Sequence, residues 1–251
     1  MHGLGGDRRQ TWTLEGNPDM CWISQAFPRA RIMLYGYETS EETSSCFTRR
    51  GIFDEAARFL ELFQGLNVEN RRPIMFVSHG IGGSLVKAAL VLATQDMPKF
   101  SKLVMRVRVL IFFGCPHRSV DIDEMREQIL KHVYQLQSSA KLHGSILPLV
   151  NSLTETVNDV NGLFIHTKML IQTHLINVFC SCPSEQVFAK STVLMHTPLE
   201  QKIESQTPHS TMTRLDPQMV NKFRSLKTED WLERVLLPYF TGRHQNILLS
   251  L

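Results

Sequence analysis

Residues 74–95 read IMFVSHGIGGSLVKAALVLATQ, and this stretch limits what the chain can fold into. A short apolar run ends at Ser78, glycines follow at Gly80, Gly82 and Gly83, and a helix-length run begins there. The apolar run does not alternate with polar residues, so it suits a strand buried on both faces. A buried strand passing through a glycine turn into a helix is the opening of a parallel βα unit.

The rest of the chain repeats that grammar. ARIMLYGY (Ala30–Tyr37) reads as a buried strand, and Gly51–Leu66 as a helix with Ile52, Phe53, Ala56, Phe59, Leu60 and Phe63 on one stripe. RVRVLIFFG (Arg106–Gly114) is a further strand, HLINVFC (His174–Cys180) another, and QVFAKSTVL (186–194) a fifth. Between Asp121 and Gln172 there is no strand signal, and two helical segments fill the interval. Such an insertion after a strand either caps a pocket or forms two surface helices, and the residues leave both open. EDWLERVLLPYF (229–240) reads as a last helix, with Asp230 near its start and Pro238 near its end. The expectation is one α/β domain over residues 1–251, doubly wound on a mostly parallel sheet.

Composition excludes several classes. A net charge of +3 is too small to argue for nucleic-acid or membrane-surface binding. The cysteines are Cys21, Cys46, Cys115, Cys180 and Cys182, an odd number at irregular spacing. That argues against a disulfide framework and for a reducing, cytoplasmic setting. Cys180 and Cys182 are too close for a zinc knuckle, so no metal or cofactor is expected. The N-terminus lacks the apolar segment of a signal peptide, and no run approaches the roughly 20 residues of a membrane span.

Five segments, in order, resemble the fungal serine esterase/lipase-like family of α/β-hydrolases. HGLGGDRRQTW (His2–Trp12) looks like that family's oxyanion loop, and ARIMLYGYET like its next strand. RPIMFVSHGIGGSLVKAALVLA looks like its nucleophile elbow, LIFFGCPHRS like its F-G-T-P-H-R-G strand end, and TPHSTMTRLD like the segment with its histidine. The resemblance implies an α/β-hydrolase-type sheet with a helical cap over residues 121–172. The apolar strand that precedes H-G-L-G-G in the family has no counterpart here, so the first strand or strands are expected to be truncated. It also implies an acyl-type substrate and, for the lineage, fungal secondary metabolism.

The departures from the family decide the chemistry. Its elbow reads G-H-S-L-G-G, and here S-H-G-I-G-G puts Gly80 at the place of the nucleophilic serine. A glycine keeps the strained turn and discards the reaction. Ser78 lies two residues back, roughly 6–7 Å along a strand, too far for attack geometry. It reads better as a small packed residue. By the resemblance His209 stands where the family carries its proton acceptor, while His79 reads as packing or hydrogen-bonding behind the site and His117 as ordering the turn after its strand. The acid is open: Cys180–Ser181 occupies its usual place, and Glu185 and Asp121 are the candidates. The oxyanion hole needs only backbone amides, here Leu4 and Ile81, beside a helix N-terminus.

That residue set has no nucleophile for an acyl-enzyme. It suits a repurposed enzyme that cyclises, condenses or isomerises an apolar acyl, polyketide or terpenoid-type ligand through His209 and the hole. It also suits a non-catalytic binding module for such a ligand or for a protein partner. A weak esterase using Ser78 or bound water is the remaining alternative.

Overall fold

A computed structural model describes residues 1–39, 48–66, 72–119, 121–138, 146–182, 186–198 and 200–225. The expected helix over 229–240 and the candidate acid Glu185 lie outside the described residues. In chain order the elements are β1 (Thr13–Leu14), β2 (Asn17–Cys21), α1 (Trp22–Ala26), α2 (Arg49–Gly65), β3 (Ile74–His79), α3 (Gly82–Gln95), α4 (Met97–Val104) and β4 (Val107–Phe113). There follow α5 (Ile122–Ser138), α6 (Ile146–Ile165), α7 (Met169–Gln172), β5 (His174–Cys180), α8 (Lys190–Val193), β6 (Glu200–Ser205) and α9 (Pro217–Ser225).

The chain divides into two compact units. One combines Met1–Asp7 with Tyr35–Met212, and the other combines Arg8–Leu34 with the chain from Thr213. The second unit holds the antiparallel pair β1–β2, α1 and α9. Its interior is built on Trp22, whose indole N–H donates to the Thr213 carbonyl at 2.8 Å and whose ring lies 5.3 Å from that of Phe223.

The first unit is a four-stranded sheet in the order β3-β4-β5-β6, parallel throughout. Each connection therefore crosses over through helices, as parallel pairing requires. All seven residues of β4 are buried, which explains its uninterrupted apolar sequence. β3, β4 and β5 fall where the apolar runs predict them.

Two expected strands are corrected. Residues 31–39 form no strand. A strand is defined by its ladder, and intrinsic preference cannot supply a partner. Beside Tyr37 lies His2: the Tyr37 amide donates to the His2 ring, the Tyr37 hydroxyl donates to the His2 carbonyl, and the two rings stack at 4.5 Å. Residues 186–194 contain the short α8 and no strand. Their apolar side chains Val187, Phe188, Val193 and Leu194 are buried all the same, in a cluster with Leu4 and Ile81. The strand that pairs with β5 is β6, EQKIES, where only Ile203 and Ser205 are buried. It closes one side of the sheet, so a polar face is tolerated there and the search for apolar runs passes it by.

α3 is buried along almost its whole length, including Lys87. α6 packs against α2, α3 and α5. α5 places Met125, Ile129, Val133 and Leu136 on one stripe, at helical spacing, in the same cluster as Leu4 and Ile81. No helix among the described residues is long and apolar enough to cross a membrane.

Candidate functional site

The site lies at the C-terminal end of β3. Gly80 has φ +51, the left-handed region that a side chain adopts only under strain. Its amide donates to Phe113 O at 3.0 Å, and its carbonyl accepts from Gly83 N at 3.1 Å, which turns the chain from β3 into α3. Close approach demands the next two glycines. A Cβ on Gly82 would stand 2.2 Å from the His2 carbonyl oxygen, and one on Gly83 would stand 2.7 Å from Cys115 Sγ. The loop His2–Gly6 thus lies directly on the start of α3, closed by a Gly6 N–H bond to the Gly3 carbonyl at 3.1 Å.

His209 reaches this turn from the segment after β6. A Cβ placed on Gly80 would lie 3.4 Å from His209 Nε2, within reach of a hydrogen bond for any hydroxyl carried on it. That nitrogen is buried and has no hydrogen-bond partner among the described residues. The ring packs so closely on Gly114 that a Cβ there would stand 2.5 Å from Nδ1. Gly114 also has φ +54, so two constraints require glycine at the end of β4.

The surroundings of His209 are histidines and apolar groups. His79 Nε2 is 3.0 Å from the His209 carbonyl oxygen, and the two rings lie 4.6 Å apart. His132, from α5, meets His209 edge-on at 4.9 Å, and Phe188 does so at 5.2 Å. Burial pushes His209 well below the ordinary histidine value, with further lowering from His79 and His132. His209 is therefore a neutral imidazole at physiological pH. Among the described residues no carboxylate is hydrogen-bonded or ion-paired to its ring.

The other candidates are placed as follows. Ser78 is fully buried with Oγ 3.7 Å from Cys115 Sγ, facing the underside of α3. Asp121 is exposed, and its Oδ1 accepts the Asp123 amide at 2.8 Å, so it caps α5. Leu4 and Ile81 are both buried in one cluster, and neither amide donates to a protein acceptor among the described residues. His117 is buried with Nε2 2.9 Å from Asn177 Oδ1, and its amide donates to the Thr192 carbonyl, which ties the turn after β4 to α8. Among the described residues no group of three or more His, Cys, Asp or Glu side chains is arranged to hold a metal ion.

Sequence reasoning missed His132 and Phe188. Position 132 carries no motif, and its signal is only helical spacing, three residues after Ile129 and four before Leu136. Phe188 sits in a segment read as a strand. Gly114 was visible within LIFFGCPHRS, although its contact with His209 was not.

A parallel α/β sheet, a left-handed glycine between strand and helix, and a histidine aimed at that glycine define an α/β protein with a glycine-built strand-to-helix turn. No protein-family profile matches the chain. Over 145 residues it is 27% identical to Protein SERAC1 of Bos taurus. It is 29% identical to Protein SERAC1 of Danio rerio over 146 residues and of Homo sapiens over 145. Each match covers 49% of this chain, which spans 22% of the length of these curated relatives. Among solved structures it is similar to a lipase-esterase-related protein from Clostridium acetobutylicum, with a TM-score of 0.47, 16% identity and 91% of each chain covered. It is also similar to the thioesterase domain of a curacin biosynthetic pathway, with a TM-score of 0.42, 12% identity, and 90% and 87% of the two chains covered. A serine hydrolase of carbazole degradation matches with a TM-score of 0.36 and 16% identity over 72% of each chain.

Proposed function

We propose that the chain is an α/β-hydrolase-like protein that forms no acyl-enzyme and instead moves a proton on an apolar carbonyl compound of acyl, polyketide or terpenoid type. One observation carries the reading: His209 Nε2, buried and without a partner among the described residues, faces the point where the missing hydroxyl of residue 80 would be attached. Buried polar groups without partners are rare and call for a reason. A ligand there supplies one, with its carbonyl oxygen against the Leu4 and Ile81 amides and its α-carbon toward Nε2.

The step balances within this site. The Nε2 lone pair takes the α-proton, the C–H electrons become the C=C bond, and the carbonyl π pair moves to oxygen as an enolate. Two amide donors and the N-terminus of α3 favour that negative oxygen. The imidazolium then returns the proton, to the same carbon for exchange or to another for isomerisation. α5, with its apolar stripe, would cover the ligand as a cap.

A second reading, a binding module without catalysis, is favoured by one fact. His209 has no carboxylate partner among the described residues and is held well below the usual histidine range, which makes it a weak base. Deuterium exchange separates the two. S-decanoyl-N-acetylcysteamine and 2-dodecanone are incubated with the protein in D2O, and the α-carbon is followed by mass spectrometry. Exchange in the wild type that His209→Phe abolishes supports the enzyme. Binding without exchange overturns it in favour of the module. Covalent labelling of the wild type by an alkyl fluorophosphonate would overturn both.

A further inference from the structure

We propose that His132, on α5, is a second ligand-binding group, and that the site accordingly selects a neutral apolar carbonyl compound bearing a hydroxyl. The proposal rests on the ligand site described above and adds the substrate class.

His132 interrupts an otherwise apolar stripe. Met125, Ile129, Val133 and Leu136 are buried around it in the cluster that contains Leu4 and Ile81. A packing role alone would be served better by leucine or phenylalanine at that position. His132 is only 5% exposed, and its Nε2 is buried with no hydrogen-bond partner among the described residues. Leaving such a nitrogen unsatisfied costs stability, and a ligand that bonds to it removes that cost. Its ring meets His209 edge-on at 4.9 Å and lies 5.6 Å from Phe188, which itself is 5.2 Å from His209. Two unpartnered imidazole nitrogens, from α5 and from the segment after β6, therefore border the same small region.

The chemistry of the region fixes the ligand class. Burial pushes His132 down to about 3, and His209 is also held low, so both rings are neutral. Among the described residues no Lys or Arg is hydrogen-bonded to either ring; Lys190, the cation recorded against this cluster, lies over Phe179 with Nζ 4.8 Å from the ring centre. A carboxylate held between these two neutral imidazoles would meet no charged donor on either ring. A hydroxyl suits a neutral imidazole nitrogen, because it can donate to the ring or accept from it as the tautomer requires. The backbone amides are donors and take a carbonyl oxygen. The complementary molecule is uncharged, largely aliphatic, and carries a carbonyl and a hydroxyl.

The test uses 2-dodecanone, its 4-hydroxy and 6-hydroxy derivatives, and dodecanoate, with affinities measured by titration calorimetry on the full chain. At least one hydroxyketone should bind about tenfold tighter than the plain ketone, the value of one well-placed hydrogen bond. Dodecanoate should bind weakest. His132→Phe should erase the preference for the hydroxyl and leave 2-dodecanone within about twofold of its wild-type affinity, while His132→Gln restores part of the preference. A structural role for His132 would instead weaken every probe alike. A second measurement uses the unaltered protein, so it does not depend on the variants folding: 15N shifts of the His132 ring should move on adding the hydroxyketone and stay still on adding the ketone. Unchanged preference in His132→Phe, a still ring, or tightest binding by dodecanoate overturns the proposal and leaves the ligand site standing. Failure of the ketone and every other probe to bind overturns both.

Discussion

Lys87 offers the sharpest test of the physical picture. It lies on α3, fully buried, with Nζ 2.9 Å from Asn161 Oδ1 on α6 and 5.7 Å from the Phe112 ring centre. Among the described residues no carboxylate pairs with it. Burial lowers its pKa from 10.5 to about 7. In the unfolded chain the amine binds a proton below 10.5, while in the folded chain it does so only below about 7. Between these values the unfolded state holds the extra proton, so stability rises with pH and falls as pH drops toward 7. The slope approaches about 1.4 kcal/mol per pH unit. From pH 7.0 to 8.5 the gain is about 1.5 kcal/mol, because the folded amine is still half protonated at the lower end. Staying below pH 9 avoids Cys115, which burial raises to about 12 and which would act with the opposite sign.

The perturbation is Lys87→Met with Asn161→Leu, since Lys87→Met alone would strand the buried amide at a cost of about 1–3 kcal/mol. Urea unfolding at pH 7.0, 7.5, 8.0 and 8.5 gives the stability of each protein. The difference between wild type and double variant should shrink or reverse by about 1.5 kcal/mol across that range, in favour of the wild type at high pH. A difference that does not change with pH would refute the reasoning, because it would mean that Lys87 keeps its proton in the folded state.

Three further outcomes follow from contacts at the turn. Gly114→Ala should displace His209, since the added methyl would meet Nδ1 at 2.5 Å and the backbone is left-handed there; we expect a loss of about 2–3 kcal/mol in thermal unfolding. Gly80→Ser fits beside Nε2 at the cost of about 1–3 kcal/mol of backbone strain. With no carboxylate behind His209 among the described residues, its hydrolysis of p-nitrophenyl butyrate should stay about 10⁴-fold below that of a complete triad, and strong hydrolysis would show that an acid is in place. Gly82→Ala should be the most damaging of the three, because its methyl would meet the His2 backbone oxygen, which cannot rotate away; circular dichroism of the purified variant reads the loss of fold.

Much of the fold was legible in the chain because a buried parallel strand leaves a continuous apolar run. β3, β4 and β5 each show one, and the glycines between β3 and α3 mark the turn. β6 was not legible, because a strand with one polar face looks like a loop when its neighbour is unknown. Residues 31–39 misled for the reverse reason, having strand composition and no ladder.

The sequence alone determined that residue 80 has no hydroxyl, since absence of an atom is a property of the chain. Only the tertiary structure decided where the histidines meet. His79, His132 and His209 lie on β3, α5 and the segment after β6, and no local pattern links them. Their rings converge because α5 and the segment after β6 bring His132 and His209 to the end of β3 that carries His79. The low proton affinity of His132 and His209 follows from that packing, since water is excluded from a place where no described carboxylate takes its role.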